Sequence, residues 1–368
     1  MNVIHVTPSY PPELGGMENT VKELAERTAR KKYTVKVVTS RFKEFKKSKT
    51  TDNLTECRLP SIRIYGIPVT IPCLPFRLFR LIEKDSIVHV HYILNFSMDI
   101  AVIVAKLKKA KVIAHMHIDP LPSGPYGRFN PLYKKLVWKK VLPLADLVIC
   151  PTEDYIENVT QKYNVLKNKC AVLPSGIDIM RFPVKPSLDI SSPAKILFVG
   201  RLSRQKNVPR LLDAFRLLQK KHDSVLHIAG DGEERSSIES YIKTNDIPNV
   251  VLHGTVVGER LPALYASCDI FVLPSDYESF GIVNLEAMAA GIPIVASDIP
   301  GVRRLLQDSA ILVSADAQKF ADAMAWLIED KEKRYELVSK GLQKVKNYDW
   351  DSITDKLLDI YKSLSPAS

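Results

Sequence analysis

The stretch IFVLPSDYESFGIVNLEAMAAGIPIVAS (270–297) contains the pattern that decides the fold of this chain. It begins with a short apolar run, passes through a polar turn, continues as a helical segment ended by Gly291 and returns to a second apolar run. A strand, a helix and a second strand in this order form a βαβ unit, in which the two strands run parallel. The stretch therefore predicts a parallel sheet covered by helices.

The same alternation recurs in two series along the chain. Residues 2–176 carry short apolar runs separated by helical stretches, and the proline-bearing segment 182–194 then interrupts the pattern. A second series begins at KILFVGRL (195–202). We therefore predict an α/β protein with two doubly wound, Rossmann-like domains that face each other across a cleft, an N-terminal domain over 1–185 and a C-terminal domain over 186–350.

Composition favours a globular protein of the reducing cytoplasm. The 368 residues are 46% hydrophobic and 25% charged, which suits two domains with their own cores. Five scattered cysteines form no CxxC pair, so neither a disulfide framework nor a zinc site is expected. The start MNVIHVTPSY does not have the pattern of a secretory signal, and the most apolar stretch, AVIVA (101–105), is far shorter than the ~20 residues of a spanning helix.

The net charge of +11 is unevenly placed along the chain. Residues 1–190 carry a net charge of +13 and the remainder carries −2. The excess clusters in segments 30–49, 106–111 and 134–140. Two interpretations stay open: a solvated basic surface, or attraction to an anionic partner such as a membrane, a phosphorylated acceptor or nucleic acid. Nucleic acid would account for the basic half but not for the second domain, so no nucleic-acid partner is expected.

Aromatic residues accompany part of this charge. Phe42 and Phe45 lie in the first basic cluster, and PFRLFRLI (75–82) interleaves arginines with apolar side chains. Basic and apolar residues together favour reversible attachment to an anionic bilayer. We therefore predict that the first domain docks on an anionic membrane surface, the inner face of the cell membrane, and receives a lipid-linked or membrane-proximal acceptor. The alternative is that these residues are solvated or pack against the domain.

Two carboxylates bracket the helix start within the opening stretch. Phe280 and Gly281 lie where the helix begins, and free backbone N–H groups at such a position favour a phosphate. Glu278 precedes the helix and Glu286 lies one turn inside it. The two acids could flank one ligand, with Glu278 over a hydroxylated ring and Glu286 over a ribose. The alternative is a capping acid followed by a solvent-facing glutamate.

A basic loop follows the first strand of the second domain. GRLSRQKN (200–207) supplies Arg201 and Lys206, two cations that can neutralise a diphosphate. The loop takes the phosphate-binding position of a doubly wound fold. Because the carboxyl ends of parallel strands lie at one edge of a sheet, we expect this loop to meet the Glu278 loop. The alternative for the two cations is ordinary surface charge.

The first domain offers weaker signals. Gly15 and Gly16 open its first helix and permit close approach to a phosphate, although a simple turn explains them equally. His117 ends a strand and could bond a sugar hydroxyl or a phosphate, whereas His115 is expected in the core. Zinc binding by these and the nearby histidines is not expected, because no other ligand type accompanies them. The acidic triplets 276–278 and 349–351 are poorly placed for chelating a metal–nucleotide complex, so no metal is predicted.

With these residues in hand, the chain resembles the retaining glycosyltransferases of family 4, which have the GT-B fold. The resemblance covers nearly the whole chain and rests on the pieces PPELGGME, VHVHY, HMHID, ADLVICPT, VLPSGID, FVGRLSRQKN, HIAGDGEE and LYASCDIFVLPSDYESFGIVNLEAMAAGIPIVAS. The pair of glutamates eight residues apart, preceded by the basic loop, is specific in combination. The resemblance also suggests that the C-terminal helix, about 351–368, packs back on the first domain.

The resemblance implies transfer of a hexose from a UDP- or GDP-sugar with retained configuration, with no cofactor and no obligatory metal. It assigns a catalytic role to His117, Arg201, Lys206 and Glu278. It assigns donor binding to Gly15, Gly16, Arg201, Lys206, Glu278, Phe280, Gly281, Ile282, Val283 and Glu286. Asn207 is a departure, since members of the family often have glycine after the lysine, and its side chain could narrow the diphosphate loop.

Other functions remain open on the sequence. One is a non-catalytic nucleotide-sugar-binding protein, although the joint presence of Arg201, Lys206, Glu278 and Glu286 argues against it. Another is a nucleotide-sugar epimerase or a phosphorylase of the same fold, which would need further acids or a pyridoxal phosphate lysine. The acceptor, the donor base and the donor sugar are not identified by the sequence.

Overall fold

The computed structural model describes residues 1–13, 15–41, 50–64, 67–69, 73–93, 95–117, 130–278 and 280–364. The chain divides into two compact units: unit 1, formed by Met1–Ser175 with Trp350–Ser368, and unit 2, formed by Gly176–Asp349. Phe42 and Phe45 lie outside the described residues. Among the residues that are described, no helix is both long enough and apolar enough to cross a membrane.

Unit 1 is built on a mainly parallel sheet. Its strands are β1 (Asn2–Val6), β2 (Thr34–Arg41), β3 (Thr50–Thr51), β4 (Leu54–Pro60), β5 (Ile62–Ile64), β6 (Ile67–Val69), β7 (Ile87–Tyr92), β8 (Lys111–Met116), β9 (Leu147–Cys150) and β10 (Cys170–Val172). Eight of them pair in the order β10-β9-β8-β7-β1-β2-β4-β3, in which β3 runs antiparallel to β4 and the other pairs are parallel. The strands β5 and β6 form a separate antiparallel pair.

The helices of unit 1 alternate with these strands. They are α1 (Gly16–Arg30), α2 (Cys73–Leu81), α3 (Phe96–Leu107), α4 (Asn130–Tyr133), α5 (Lys139–Val141) and α6 (Glu153–Tyr163), with a π-helical turn (Lys134–Trp138) between α4 and α5. The C-terminal helix (Trp350–Leu364) also belongs to this unit. It is held to α1 by ion pairs from Arg27 to Asp351 and from Lys31 to Asp355, the latter at 2.6 Å.

The strand pleat sorts the side chains of unit 1 onto two faces. Successive side chains of a strand point to opposite faces. Ile4 and Val88 therefore join the core on one face, whereas Val3 and Ile87 join the core that contains Tyr361 of the C-terminal helix. The histidines of β1, β7 and β8 share the odd-numbered positions with Val3 and Ile87, so they lie on the face of the C-terminal helix.

Unit 2 contains a six-stranded parallel sheet. Its strands are β11 (Ala194–Val199), β12 (Ser224–Ala229), β13 (Val250–Gly254), β14 (Ile270–Leu273), β15 (Ile294–Ser297) and β16 (Ile311–Val313), in the order β13-β12-β11-β14-β15-β16. Its helices are α7 (Val208–Leu218), α8 (Arg235–Thr244), α9 (Arg260–Ser267), α10 (Ile282–Ala289), α11 (Pro300–Leu306), α12 (Ala317–Glu329) and α13 (Lys331–Val345); the C-terminal helix of unit 1 is α14. The expected α/β class with two Rossmann-like sheets is confirmed.

Candidate active site

The strand order of unit 2 reverses between β11 and β14. The chain leaves β11 towards β12 on one side, and leaves β14 towards β15 on the other. Connections that diverge from two neighbouring parallel strands open a crevice at the carboxyl ends of those strands, where open α/β sheets bind ligands. The two loops at this point, 200–207 after β11 and 274–281 after β14, are those singled out in the sequence.

Two glycines allow a neighbouring loop to pack closely against the basic loop. The backbone N–H groups of Gly200 and Leu202 donate to the carbonyls of Ala229 (3.0 Å) and Asp231 (2.9 Å). A Cβ atom at Gly230 or Gly232 would lie 1.8 Å from the carbonyl oxygen of Gly200 or 2.3 Å from that of Leu202. These two glycines therefore support the loop that carries Arg201 and Lys206, a role that the apolar periodicity of the sequence does not indicate.

Lys206 and Glu278 meet at the switch point. Their side chains form an ion pair, with only 13% of the lysine and 9% of the glutamate side chain exposed. The hydroxyl of Ser275 also donates to Glu278, at 2.9 Å. The structure therefore brings together two of the residues that the sequence placed on separate loops, and it holds both in defined positions.

Asn207 shapes the end of the basic loop. Its backbone has a φ of 46°, a left-handed conformation that glycine and asparagine adopt more readily than other residues. Its side-chain oxygen accepts from the backbone N–H of Arg210 (3.3 Å), and its amide nitrogen donates to Asp276 (2.9 Å). Asparagine thus replaces glycine while capping α7 and tying the basic loop to the loop after β14.

Arg201 occupies the exposed side of the same loop. Its side chain is 74% exposed and its Nε lies 3.2 Å from a carboxylate oxygen of Glu233. An exposed pair of this kind contributes about 0–1 kcal/mol, so the guanidinium can turn to an anionic ligand at little cost. Lys206 is therefore a fixed cation of the loop, and Arg201 is a movable one.

The first turn of α10 presents backbone amides. Gly281 precedes the helix with a φ of 76° and offers no side chain to cap it. A Cβ atom there would lie 2.7 Å from the side-chain nitrogen of Asn284, which is another reason for glycine at this position. Phe280 is buried against the ring of Tyr348, with ring centroids 5.7 Å apart. The amides of Ile282 and Val283 follow, so the turn suits an anionic group.

Glu286 is held by a buried tyrosine. It is partly buried on α10 and accepts a hydrogen bond of 2.8 Å from the hydroxyl of Tyr265, a fully buried residue of α9. Loss of hydration raises the pKa of Glu286 to about 7, although the Tyr265 hydroxyl and the charge of Arg181 oppose the rise. The carboxyl group therefore changes charge near neutral pH, and it is not the solvent-facing glutamate of the alternative interpretation.

The predicted residues of unit 1 lie at the start of α1, which follows β1, and directly after β8. Gly15 directly precedes α1, and Gly16 is its first residue. His117 follows β8, and its Nε2 lies 2.8 Å from Nδ1 of His91. Burial lowers the pKa of His117 to about 3, so its ring is neutral. Two groups of three histidines bring ring nitrogens within 4.8 Å of one another: His5, His89 and His91, and His91, His115 and His117.

These features define a protein of two Rossmann-like domains, whose second domain places cations, helix-end amides and carboxylates at a switch point. Comparison with protein families agrees with this. Residues 14–181 match the family described as glycosyltransferase family 4, and residues 183–344 match the glycosyl transferases group 1. The chain belongs to the family 4 glycosyltransferases and has their GT-B fold, so the family and enzyme class expected from the sequence are confirmed.

Individual relatives cover nearly the full length of the chain. An uncharacterized glycosyltransferase of Methanocaldococcus jannaschii is 28% identical over 98% of both chains. A GDP-mannose-dependent alpha-mannosyltransferase of Mycobacterium tuberculosis is 25% identical and covers 99% of this chain and 97% of its own length.

Solved structures share the fold at lower identity. Sucrose-phosphate synthase from Thermosynechococcus elongatus superposes with a TM-score of 0.80 at 19% identity, covering 99% of this chain and 98% of its own. Anabaena HepE in complex with UDP-glucose superposes with a TM-score of 0.78 at 19% identity, covering 99% of this chain and 100% of its own.

Proposed function

We propose that this glycosyltransferase is a retaining, metal-independent enzyme that transfers a hexose from a UDP- or GDP-sugar to an acceptor at or near a membrane. The observation that carries the proposal is the ion pair between Lys206 and Glu278 beside the amides that begin α10. A fixed cation next to helix-end amides suits a diphosphate, and a carboxylate held within the same pair suits the hydroxyls of a sugar.

Each predicted site residue of unit 2 has a part in binding the donor. Lys206, Arg201 and the amides at Phe280, Gly281, Ile282 and Val283 bind the diphosphate. Glu286 accepts hydrogen bonds from both ribose hydroxyls, which suits a carboxylate oriented by Tyr265. Glu278 contacts the donor sugar. For unit 1, the family resemblance assigns His117 to the sugar and Gly15 and Gly16 to the diphosphate.

The relatives support a nucleotide sugar as the donor. Anabaena HepE is complexed with UDP-glucose, and the mycobacterial relative is described as GDP-mannose-dependent. Both donors offer a diphosphate and a ribose to the groups of unit 2, so the proposal covers UDP- and GDP-sugars alike.

The reaction breaks the bond between the anomeric carbon and the diphosphate oxygen. Negative charge grows on the departing diphosphate, and Lys206, Arg201 and the amides of α10 stabilise it more strongly than in the ground state. An acceptor oxygen bonds to the same face of the anomeric carbon and gives its proton to the departing phosphate, which retains the configuration. Glu278, bonded by Lys206 and Ser275, is placed to bind hydroxyls rather than to act as a nucleophile.

The charge that the chain itself supplies supports metal independence. A divalent ion would neutralise the leaving diphosphate, and Lys206 with Arg201 offers the same two positive charges. Of the two acidic triplets, 276–278 is already engaged: Asp276 bonds Asn207 and lies 2.7 Å from Arg210, and Glu278 bonds Lys206. Activity lost with EDTA and restored by magnesium or manganese would contradict this part of the proposal.

An exposed basic and apolar surface on unit 1 supports a membrane-proximal acceptor. We call it the α2–α3 surface; it comprises Phe76, Phe79, Arg80, Leu107 and Lys108. Phe76, Phe79 and Leu107 are 76%, 54% and 73% exposed. The Nζ atom of Lys108 lies 4.4 Å from the ring centroid of Phe79. Apolar side chains flanked by cations suit shallow insertion into an anionic bilayer, and each cation near it contributes about 1 kcal/mol.

Hydrolysis of the donor in the absence of acceptor tests the function. The protein is incubated separately with UDP-glucose, UDP-N-acetylglucosamine and GDP-mannose, and released nucleotide and sugar are followed. We expect slow release of UDP or GDP with one of them, giving a sugar of retained configuration, and loss of release in Lys206→Ala. A donor that raises the melting temperature but is never cleaved would indicate a binding protein. Conversion of the sugar without release of the nucleotide would indicate an epimerase.

A further inference from the structure

Four buried histidines and one partly exposed histidine of unit 1 form two rows across the sheet. We call them the histidine network: His5, His89, His91, His115 and His117. In the first row, Nδ1 of His5 lies 2.8 Å from Nε2 of His91, and Nδ1 of His91 lies 2.8 Å from Nε2 of His117. In the second row, Nε2 of His89 lies 3.1 Å from Nδ1 of His115. The rows run diagonally to the strand register, which pairs His5 with His89 and His91 with His115.

The rings within each row are arranged end to end. The centroids of His91 and His117 are 5.1 Å apart and their planes differ by 26°. The separation is close to the sum of the N···N distance and the two ring radii, so the nitrogens face each other along the ring planes. His5 and His91 have the same arrangement, at 5.2 Å and 14°. This geometry is that of N–H···N hydrogen bonds.

Tyr361 of α14 joins the two rows. Its hydroxyl lies 2.7 Å from Nδ1 of His89 and 3.5 Å from Nε2 of His5. The residue is fully buried, and its ring stands edge-on to His89 at 85°. A neutral imidazole has one donor and one acceptor nitrogen, and a phenol hydroxyl donates one hydrogen. The direction of each bond therefore fixes the direction of the next along both rows.

The hydroxyl of Tyr361 decides that direction. The hydroxyl hydrogen takes the shorter contact, 2.7 Å to Nδ1 of His89, which leaves the hydroxyl oxygen as the acceptor in the longer contact, 3.5 Å to Nε2 of His5. If it donates to Nδ1 of His89, the hydrogen of His89 lies on Nε2 and is donated to Nδ1 of His115. The hydroxyl oxygen then faces Nε2–H of His5, so Nδ1 of His5 accepts from His91, and Nδ1 of His91 accepts from His117.

We propose that Tyr361 is a positioning residue that holds the whole histidine network in one neutral tautomer, with hydrogen on Nε2 and a bare lone pair on Nδ1 of every ring. His117 is the partly exposed end of the first row. Its Nδ1 therefore acts as a hydrogen-bond acceptor. A reversed hydroxyl would invert all five rings and make the same atom a donor, so one hydroxyl controls what His117 offers.

The network also selects the kind of ligand group that His117 recognises. A neutral ring with a bare nitrogen accepts from a hydroxyl and repels a phosphate oxygen, which carries no hydrogen to donate. Burial lowers the pKa of all five histidines, which keeps the rings neutral. If the proposed transferase function is correct, the network assigns His117 to a hydroxyl of the sugar rather than to the diphosphate. The tautomers themselves do not depend on that function.

Metal binding is the competing use of such a cluster. A metal ion needs three nitrogen lone pairs that converge on one point. In the network the facing nitrogens of His91 and His117 point at each other at 2.8 Å, a separation occupied by a single hydrogen. The geometry therefore favours a hydrogen-bonded network over a metal centre, and the test includes a metal as an outcome.

Nuclear magnetic resonance of the free protein with ¹⁵N-labelled histidine tests the proposal. Long-range ¹H–¹⁵N spectra distinguish the two neutral tautomers by the shift of each ring nitrogen. We expect all five histidines of the network to show protonated Nε2 and bare Nδ1, unchanged between about pH 5 and about pH 9. Protonated Nδ1, or a mixture of tautomers, at these rings in the native protein would overturn the proposal. So would a cobalt(II) titration in which one equivalent produces ligand-field absorption and displaces the His91 and His117 signals.

A variant separates the positioning role from packing. Tyr361→Phe removes the hydroxyl and keeps the ring against His89, so we expect mixed tautomers along both rows, including at His117, which Tyr361 does not touch. Tyr33→Phe is the matched control, because Tyr33 packs beside the same core and its hydroxyl makes no bond to the network among those described; its histidine signals should equal those of the native protein. A folded Tyr361→Phe protein with an unchanged His117 signal would refute the positioning role. If that variant does not fold, the tautomers of the native protein decide.

Discussion

Lys206 and Glu278 form an ion pair that connects the loops following two neighbouring strands of one sheet. Because both side chains are largely withdrawn from solvent, each determines the position of the other. A diphosphate that binds at this point must share the lysine with the glutamate. If the proposed function is correct, the pair couples binding of the leaving group to the orientation of the carboxylate proposed to bind the sugar.

Lys206→Ala should lower kcat/KM about 10²–10³-fold, because a group that stabilises developing charge in a dry site is lost. It should also lower the melting temperature, since Glu278 is left buried without its cation. Steady-state kinetics and thermal unfolding measure the two effects.

The double variant Lys206→Ala with Glu278→Gln separates the two effects. Its melting temperature should return most of the way to that of the native protein, whereas its activity should stay as low as that of Lys206→Ala. Lys220→Ala, at an exposed position after α7, is the matched loss of a lysine and should change neither quantity. Near-normal turnover in a folded Lys206→Ala protein would disprove the role of this lysine.

Glu286 should make donor binding depend on pH. Its carboxyl group has a pKa raised to about 7 in the free protein, and the ionised form is the better acceptor for two ribose hydroxyls. Binding the donor therefore favours loss of the proton, so KM for the donor should be constant well above pH 7 and rise up to about tenfold per unit below it. Initial rates across donor concentrations at each pH measure this.

The matched control is Glu286→Gln. It should raise KM at high pH and remove this part of the pH dependence, because the amide does not titrate. If the native protein and this variant show the same pH profile for KM, Glu286 does not bind the donor as an anion.

Tyr265→Phe should shift the pH profile of KM for the donor to higher pH. The Tyr265 hydroxyl donates to the Glu286 carboxylate at 2.8 Å, which lowers the pKa of that carboxyl group. Without the hydroxyl the pKa rises further, so the rise in KM should begin at a higher pH. Tyr241→Phe removes a hydroxyl that donates to Asp213, and it should leave the profile in place. A shift of this profile to lower pH in Tyr265→Phe would contradict the hydrogen bond.

Asn207 should tolerate glycine better than alanine. The residue has a φ of 46° and its side chain caps α7. Alanine loses the cap and retains the strain of a left-handed backbone, so Asn207→Ala should reduce the free energy of unfolding by about 1–2 kcal/mol. Asn207→Gly loses the cap but relieves the strain, so it should reduce the free energy of unfolding by only a few tenths of a kcal/mol. Equal denaturation midpoints for the two variants would show that the left-handed backbone at residue 207 does not affect the stability of the protein.

The sequence predicted those parts of the site that follow from the sheet itself. Carboxyl ends of parallel strands share one edge, so the meeting of the Lys206 and Glu278 loops follows from the βαβ pattern alone. The bond between Tyr265 and Glu286 could not be predicted, because it depends on how α9 packs against α10. The histidine network depends on strand register and on Tyr361, a residue 272 positions away from its partner His89. Apolar periodicity contains neither kind of information.

Binding to anionic membranes should depend on the α2–α3 surface. Phe76 and Phe79 are exposed on α2, beside the cations Arg80 and Lys108, whereas Leu74 and Leu78 point into the core. Replacing Phe76 and Phe79 by serine should therefore leave the fold intact and reduce recovery with anionic vesicles severalfold. Co-sedimentation with phosphatidylglycerol-containing and neutral phosphatidylcholine vesicles measures this, and recovery of the native protein should fall as salt rises, because exposed charges are screened.

The matched control for the vesicle experiment is Met180→Ser. Met180 is 92% exposed but belongs to unit 2, which carries no excess of positive charge, so its loss should not change recovery. Shallow insertion of the two phenylalanines and attraction by the cations act together. Reversing only the charges, with Arg80→Glu and Lys108→Glu, should therefore also release the protein while both rings remain. Equal recovery of the native protein with neutral and anionic vesicles, or unchanged binding after loss of both phenylalanines, would leave an acceptor in solution as the better interpretation.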